Sequence, residues 1–415
     1  MKELPSDSHP STTLGVIALH SLATGLTQAV YFAVALMMPL LARKRFDAND
    51  WQTVLLTATM PALMVLSIFW GDFLRRVRLR SYLAVHWALV AIPLASAGFA
   101  QDFWTLLICY AVACIGVSGW SPVAGELLKG FYGDAKRGRA FGIINTAMFV
   151  SWTCVTLGIG YALDVDENAY AIFLPLAGGA YGAGILILRR LVLTTGLQTR
   201  RALELKEPFR MRRIVEPVLH MKKILKTDRL FARYEIAFMT YGFGWMICSA
   251  LLPVLATDKF HMDYTDFAQS TQAVYPLCML AMTYPMGRIM DRIGPAKMSC
   301  LSFGWLTLYP VALLVAKTIF GVGVATVFYG TAMAGVHIGW MLGPVAFAKT
   351  NERVGQYVAV HATLVGLRGV VAQGLGMLIY KITGQFGWPL GVAAATFAAA
   401  SYQMWTLGQR LKREA

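Results

Sequence analysis

The stretch Gly287-Arg-Ile-Met-Asp291-Arg292-Ile-Gly294-Pro-Ala-Lys297 lies between two apolar runs, 265 to 287 and 298 to 316, each close to bilayer-spanning length. A link this short and charged reads as a tight turn at a membrane surface, where glycine supplies backbone freedom and Asp291 and Arg292 can pair with neighbouring helix ends. Its elements recur upstream at an offset of 216 residues: Gly71 with Gly287 and Arg76 with Arg292. Asp50-Trp51 recurs as Asp266-Phe267 and Arg137 as Arg353 at the same offset, Met60-Pro61 as Tyr275-Pro276 at 215, and Gly119-Trp120 as Gly339-Trp340 at 220. Two like-oriented halves are thus predicted, related by an axis along the membrane normal, with a substrate site between them.

Composition agrees. Of 415 residues, 57% are apolar and 14% charged, and mean hydropathy is +0.55. A soluble domain is about 25% charged, so a water-soluble globule and a disordered chain are both excluded. Spans are predicted near 12 to 42, 50 to 70, 81 to 100, 103 to 127, 139 to 163, 170 to 192, 232 to 256, 265 to 287, 298 to 316, 319 to 347, 357 to 380 and 386 to 408. The expected fold is an all-α membrane protein with twelve transmembrane helices in two pseudo-symmetric six-helix bundles. The bundles are 1–193 and 231–415, joined by a basic linker at 194–230. No stretch suggests a soluble catalytic domain, no nucleotide-binding loop is present, and the six cysteines read as small buried hydrophobes without metal spacing, so no cofactor is expected. The first eleven residues carry acids and lead into a run too long for a signal peptide, which reads as a retained span.

The net charge is +15. With the N-terminus inside, thirty of the 37 Lys and Arg fall in inner segments, six in outer loops, and Arg368 within a span. That asymmetry predicts both termini in the cytoplasm, with Arg43, Lys44 and Arg45 a local exception on the outer side. The linker's thirteen basic residues, counted from 189 to 233, then predict contact with anionic lipid and argue against a nucleic-acid partner.

The 287–297 loop, with its Gly, Asp, Arg, Gly and final base, resembles the inner loop of the major facilitator superfamily. Pro122 to Gly142, with Glu126 and Arg137-Gly-Arg139, resembles that family's passage from span four into span five. The first loop copy departs from the pattern, because Arg75 and Arg78 replace the acid and second glycine; a latch there would use Asp72 or Glu126. The resemblance implies secondary transport of a small organic solute by alternating access, in a bacterial inner membrane, by a monomer. Gly71, Asp72, Arg76, Glu126, Arg137, Gly287, Asp291, Arg292 and Gly294 are the implied gating residues. In the family's proton-coupled drug exporters an arginine stands four residues before the glycine that aligns with Gly116, and here that position is Val112. Their span five carries Gly-Pro, whereas this one has Gly158 and Gly160 without proline, so drug export is disfavoured. Drug or sugar transport remains the alternative within the fold, and a non-transporting sensor or partner-binding subunit the alternative outside it.

Within span one, His20, Thr24, Thr27, Gln28 and Tyr31 share one helical face, which must look into protein or a cavity rather than lipid. The family arrangement adds Trp120, Tyr241, Trp245, His337 and Trp340 as candidate substrate contacts. Arg368 stands alone in mid-span eleven, where a guanidinium costs roughly 2.5 to 3.5 kcal/mol to insert. All 22 acids read as loop or span-end residues, so an anionic substrate group is the expected counter-charge. His361, seven residues earlier on nearly the same helical line, is a candidate for substrate contact or a coupling proton.

Overall fold

The computed structural model describes residues 14–197, 216–347 and 351–414. They form twelve long helical rods: α1 (Leu14–Arg45), α2 (50–76), α3 (Leu79–Phe99), α4 (Phe103–Phe131), α5 (Asp134–Val165), α6 (Glu167–Thr194), α7 (Arg229–Asp258), α8 (264–293), α9 (Pro295–Val315), α10 (Ile319–Phe347), α11 (Asn351–Thr383) and α12 (Gly387–Glu414). A short linker helix, Glu216–Thr227, precedes α7, and no strand occurs among the described residues. Among the described residues, eight rods are long and apolar enough to cross a membrane.

Local chemistry sets the ends of these rods. Asn49 and Gln52 form a reciprocal capping box at α2, each side chain bonding the other's backbone N–H at 2.9 Å. Asp102 caps α4 by accepting from the Trp104 and Thr105 amides at 2.8 and 3.0 Å. The Thr105 hydroxyl, with these amides, holds its carboxyl below the usual carboxylate range. Between α8 and α9, Gly294 takes φ +80°, a left-handed conformation that favours glycine. Its counterpart Arg78 has φ −62°, so the upstream loop needs no second glycine there.

The contacts divide the chain into two compact units. One holds the chain up to Val34, then Leu66–Val155 and the stretch from Ala169 toward the linker. In it Gly178 and Gly182 of α6 lie against Ala91, Ala95 and Trp87 of α3, leaving no room for a Cβ. Close approach at small residues one helical turn apart is how membrane helices gain van der Waals contact. The other unit holds Ala35–Val65, Thr156–Asn168 and the chain from the linker helix onward. Here α7 packs on α11 and α12, and α8 and α9 pack on α10.

The repeat is present in the backbone, in a different register from the sequence match. Asp47 and His261 both have φ 48°, the Ala48 and Met262 amides bond the Ala42 and Ala256 carbonyls at 3.0 and 2.9 Å, and Asn49 and Asp263 both cap the next helix. All these pairs are 214 apart, so Asp50-Trp51 and Asp266-Phe267 are not structural equivalents. Two non-α turns absorb the difference: a wide π turn at Ala268–Ala273 in α8 and a tight 3-10 turn at Met64–Leu66 in α2. Past them the register is 216, as at the starts of α3 and α9. A Cβ at Gly119 would meet Tyr82 and one at Gly335 would meet Met298, again 216 apart. Gly335, not Gly339, is therefore the counterpart of Gly119.

Burial of the cysteines also differs from the sequence reading. All six are free, but only Cys114 and Cys248 are buried, and Cys154 is exposed. An apolar sequence context does not separate a lipid-facing thiol from a core one.

Candidate functional site

A set of buried polar groups lies along the seam of α7 and α11. Asp228, the N-cap of α7, is followed at seven-residue steps by Glu235 and Gly242, while Tyr357, His361, Leu364 and Arg368 form a stripe on α11. Tyr357 donates to Asp228 at 2.9 Å. Both Glu235 oxygens lie against His361 Nδ1, at 2.9 and 2.8 Å, and each residue is 2% exposed. This corrects the sequence reading, which left His361 and Arg368 without a buried acid. Glu235 is less than two turns from the start of α7, but α11 covers it and takes it out of solvent.

Arg368 is 3% exposed. Its Nη1 donates to the Phe238 carbonyl, and its Cζ lies 5.1 Å from the Tyr241 ring centroid. Nε and Nη2 have no hydrogen-bond partner among the described residues. Those two donors form one edge of the guanidinium, the edge that grips a carboxylate with two parallel bonds. The approach depends on Gly242, because a Cβ there would overlap the guanidinium. The seam continues as aromatic packing: His361 meets Phe238 and Trp340 edge-on at 5.0 and 5.5 Å, and Tyr241 stacks on Phe303 at 4.5 Å. Trp245 donates to the Tyr329 hydroxyl at 2.8 Å, and His337 is exposed with its ring stacked at 6.4 Å on Trp340.

In the other unit the span-one stripe is buried against protein. His20 Nδ1 lies 3.1 Å from the Tyr132 hydroxyl and Tyr31 OH 3.2 Å from Cys114 Sγ. Thr24 and Thr27 donate back to their own helix, to the His20 and Ala23 carbonyls. Gln28 Nε2 has no partner among the described residues, and the π turn Gly25–Ala29 falls at this face. Trp120 packs on His86 at 5.8 Å. His86, fully buried and 2.7 Å from the Tyr181 hydroxyl, was missed in the sequence, although a histidine inside an apolar span is itself a signal.

The Major Facilitator Superfamily profile matches residues 21–372, most of the chain. The chain belongs to the major facilitator superfamily. It is a membrane transporter for small solutes, not an enzyme. Solved structures of POT-type peptide transporters share the fold. One, a mutant in complex with alafosfalin, aligns at TM-score 0.74 with 12% identity over 95% of each chain. Another, in complex with sulfate, aligns at 0.73 with 11% identity over 96% of this chain and 94% of that one. A POT family transporter in complex with 5-aminolevulinic acid aligns at 0.70 with 12% identity over 95% of each. At such identity they show the fold alone. No curated protein matches this chain.

Among the superfamily's gating positions, Asp291 and Arg292 are exposed, and Asp291 has no ion pair among the described residues. Gly71 has open space where a Cβ would be and Gly287 only a distant Ile338 methyl, so of these loop glycines only Gly294 is required by its backbone. Arg76 and Glu126 are half-buried, Arg137 donates to the Tyr132 carbonyl at 3.4 Å, and the Asp72 side chain lies outside those described. Of the three basic residues at 43 to 45, Arg43 and Lys44 pair with acids and Arg45 bonds a neutral amide. Arg43 bonds Asp50 at 2.5 Å, Asp258 at 2.8 Å and Thr257 at 2.9 Å; Lys44 reaches Asp263, and Arg45 bonds Asn168. Lys381 closes the group on Asp50. This network ties the α1–α2 and α5–α6 turns to α7, α8 and α11, which explains why Ala35–Val65 and Thr156–Asn168 cluster with the C-terminal helices.

Proposed function

We propose that this transporter moves small organic anions by alternating access and that Arg368 takes their negative group. The observation that carries the reading is the free Nε and Nη2 edge on an arginine buried to 3% exposure. Each buried donor left unpaired costs roughly 1 to 3 kcal/mol, and more when charged. Glu235 does not fill the role, because both its oxygens lie against His361. A carboxylate or similar oxyanion matches the edge. Two of the fold neighbours were solved with 5-aminolevulinic acid and with sulfate, ligands of that kind.

A thermal-shift screen of the purified protein against organic acids, sugars, amino acids and amphiphilic cations tests this, since a ligand raises the melting temperature by mass action. Organic acids are expected to stabilise it. Arg368→Lys keeps the charge but loses the fork, so affinity should fall roughly 10- to 100-fold, the equivalent of about 1.5 to 3 kcal/mol. Stabilisation by neutral or cationic solutes alone would overturn the anion reading.

The same reading puts both termini on the cytoplasmic face of a bacterial inner membrane, in a monomer, with Asp291 and Arg292 serving gating. A cysteine at Lys136 should then resist an impermeant reagent in intact cells while one at Lys317 reacts; the opposite pattern would invert the topology. On the linker helix Lys222, Lys223 and Lys226 are exposed, while Met221, Ile224 and Leu225 pack against Phe231, Tyr357 and Val360. That amphipathic arrangement suits anionic headgroups, and stability indifferent to anionic lipid would count against it.

A further inference from the structure

We infer that Glu235 and His361 form the binding site for one coupling proton, taken up on His361 Nε2 and matched to one negative charge at Arg368. The matching rests on the function proposed above; the proton site stands on its own geometry. Because both carboxylate oxygens of Glu235 lie within 2.9 Å of Nδ1, that nitrogen carries the hydrogen and donates it. Nε2 then holds the imidazole lone pair, and it has no partner among the described residues. A basic lone pair without a donor, on a ring already held by a carboxylate, is built to gain a proton. The step is simple in its balance: hydronium gives a proton to Nε2, the Nδ1–H stays on Glu235, and an imidazolium–carboxylate pair remains.

The other charges near this seam do not perform the task. From α7 come Asp228, which accepts from Tyr357, and the hydroxyls of Tyr234 and Tyr241; from α10 comes the exposed His337. On α2, Asp50 lies at the far end of α11, where Lys381 and Arg43 pair with it. The linker-helix lysines are exposed, and α12 brings no ionisable group before Arg410 except the exposed Tyr402. Among the described residues, the fully buried charges of this seam come from three groups, Glu235, His361 and Arg368. With His361 neutral, Glu235 and Arg368 sum to zero; a bound monoanion makes the sum −1, and a proton on His361 restores zero. A low-dielectric interior disfavours net charge, so proton and anion favour each other's binding. Transport would then carry one proton per monoanion without net charge.

The test needs no substrate. Trp340 lies edge-on to His361 at 5.5 Å, and an imidazolium quenches indole emission. The emission difference between the full chain carrying His337→Gln, which removes the other imidazole against Trp340, and the same chain with Trp340→Phe, titrated from about pH 5 to 9, should show a one-proton step. His361→Gln should remove it. Glu235→Gln should lower its midpoint by about 1 to 3 pH units, because the carboxylate that favours the imidazolium is gone. Arg368→Gln should raise it by about one unit, as expected for removing a positive charge roughly 10.5 Å away. No Trp340-dependent step, or one that survives His361→Gln, overturns the proton site. A step that Arg368→Gln leaves in place overturns the matching. If His361→Gln does not fold, an unmoved midpoint in Glu235→Gln overturns the site instead. Failure of the anion reading shows elsewhere, as the absence of any stabilising acid.

Discussion

Gly242→Ala is expected to weaken binding of an organic acid at least about 100-fold while leaving the melting temperature of the ligand-free protein within a few degrees. The added Cβ would occupy the space of the Arg368 guanidinium, the end of a flexible side chain rather than backbone. The arginine would swing away, losing the Phe238 carbonyl and the Tyr241 ring, and its free edge would no longer face the same way. Helix stability would not suffer, because alanine favours a helix by about 1 kcal/mol over glycine. Two lost hydrogen bonds to a charged group, at roughly 1.5 to 3 kcal/mol each, account for the loss of affinity. Thermal shift with and without the acid measures both quantities. Wild-type affinity in Gly242→Ala would show that Arg368 does not need its present position.

The helical class and the places of the twelve rods were legible because lipid imposes a long apolar run on any span, and that signal is local. The repeat was legible only in part. Matching Asp50-Trp51 to Asp266-Phe267 follows side-chain identity, whereas the capping residues Asn49 and Asp263 follow backbone geometry. A π turn and a 3-10 turn change the residues per turn without leaving a clear mark in composition. At the candidate site, Arg368 and His361 stood out because a charge or imidazole in mid-span is costly. Glu235 did not, since its distance from a helix end says nothing of what packs over it. Gly242 was silent for a related reason: one of 38 glycines, it gains meaning only when an arginine 126 residues away lies against it. Arg43 and Lys44 stood out in sequence as charges on the expected outer side, and their acidic partners Asp50, Asp258 and Asp263 are supplied only by the fold.

Arg368→Gln should cost more affinity than any other single change, with organic-acid binding lost beyond detection, and yet the protein should fold. The variant removes the charge and the fork together, while its amide can still donate to the Phe238 carbonyl that Nη1 now occupies. What it loses structurally is one carbonyl bond and one ring contact; what it sheds is a buried cation with two unpartnered donors, a species whose insertion costs roughly 2.5 to 3.5 kcal/mol. These terms oppose each other and are of similar size, so the ligand-free melting temperature should stay near that of the parent. A purely structural arginine predicts the reverse. In that case Glu235 would lose its balancing charge inside the bundle, expression and melting temperature would fall in both Arg368→Gln and Arg368→Lys, and the surviving protein would bind solute as before. Comparing ligand-free melting with the acid-induced shift separates the two, because the first reports the seam and the second reports the edge.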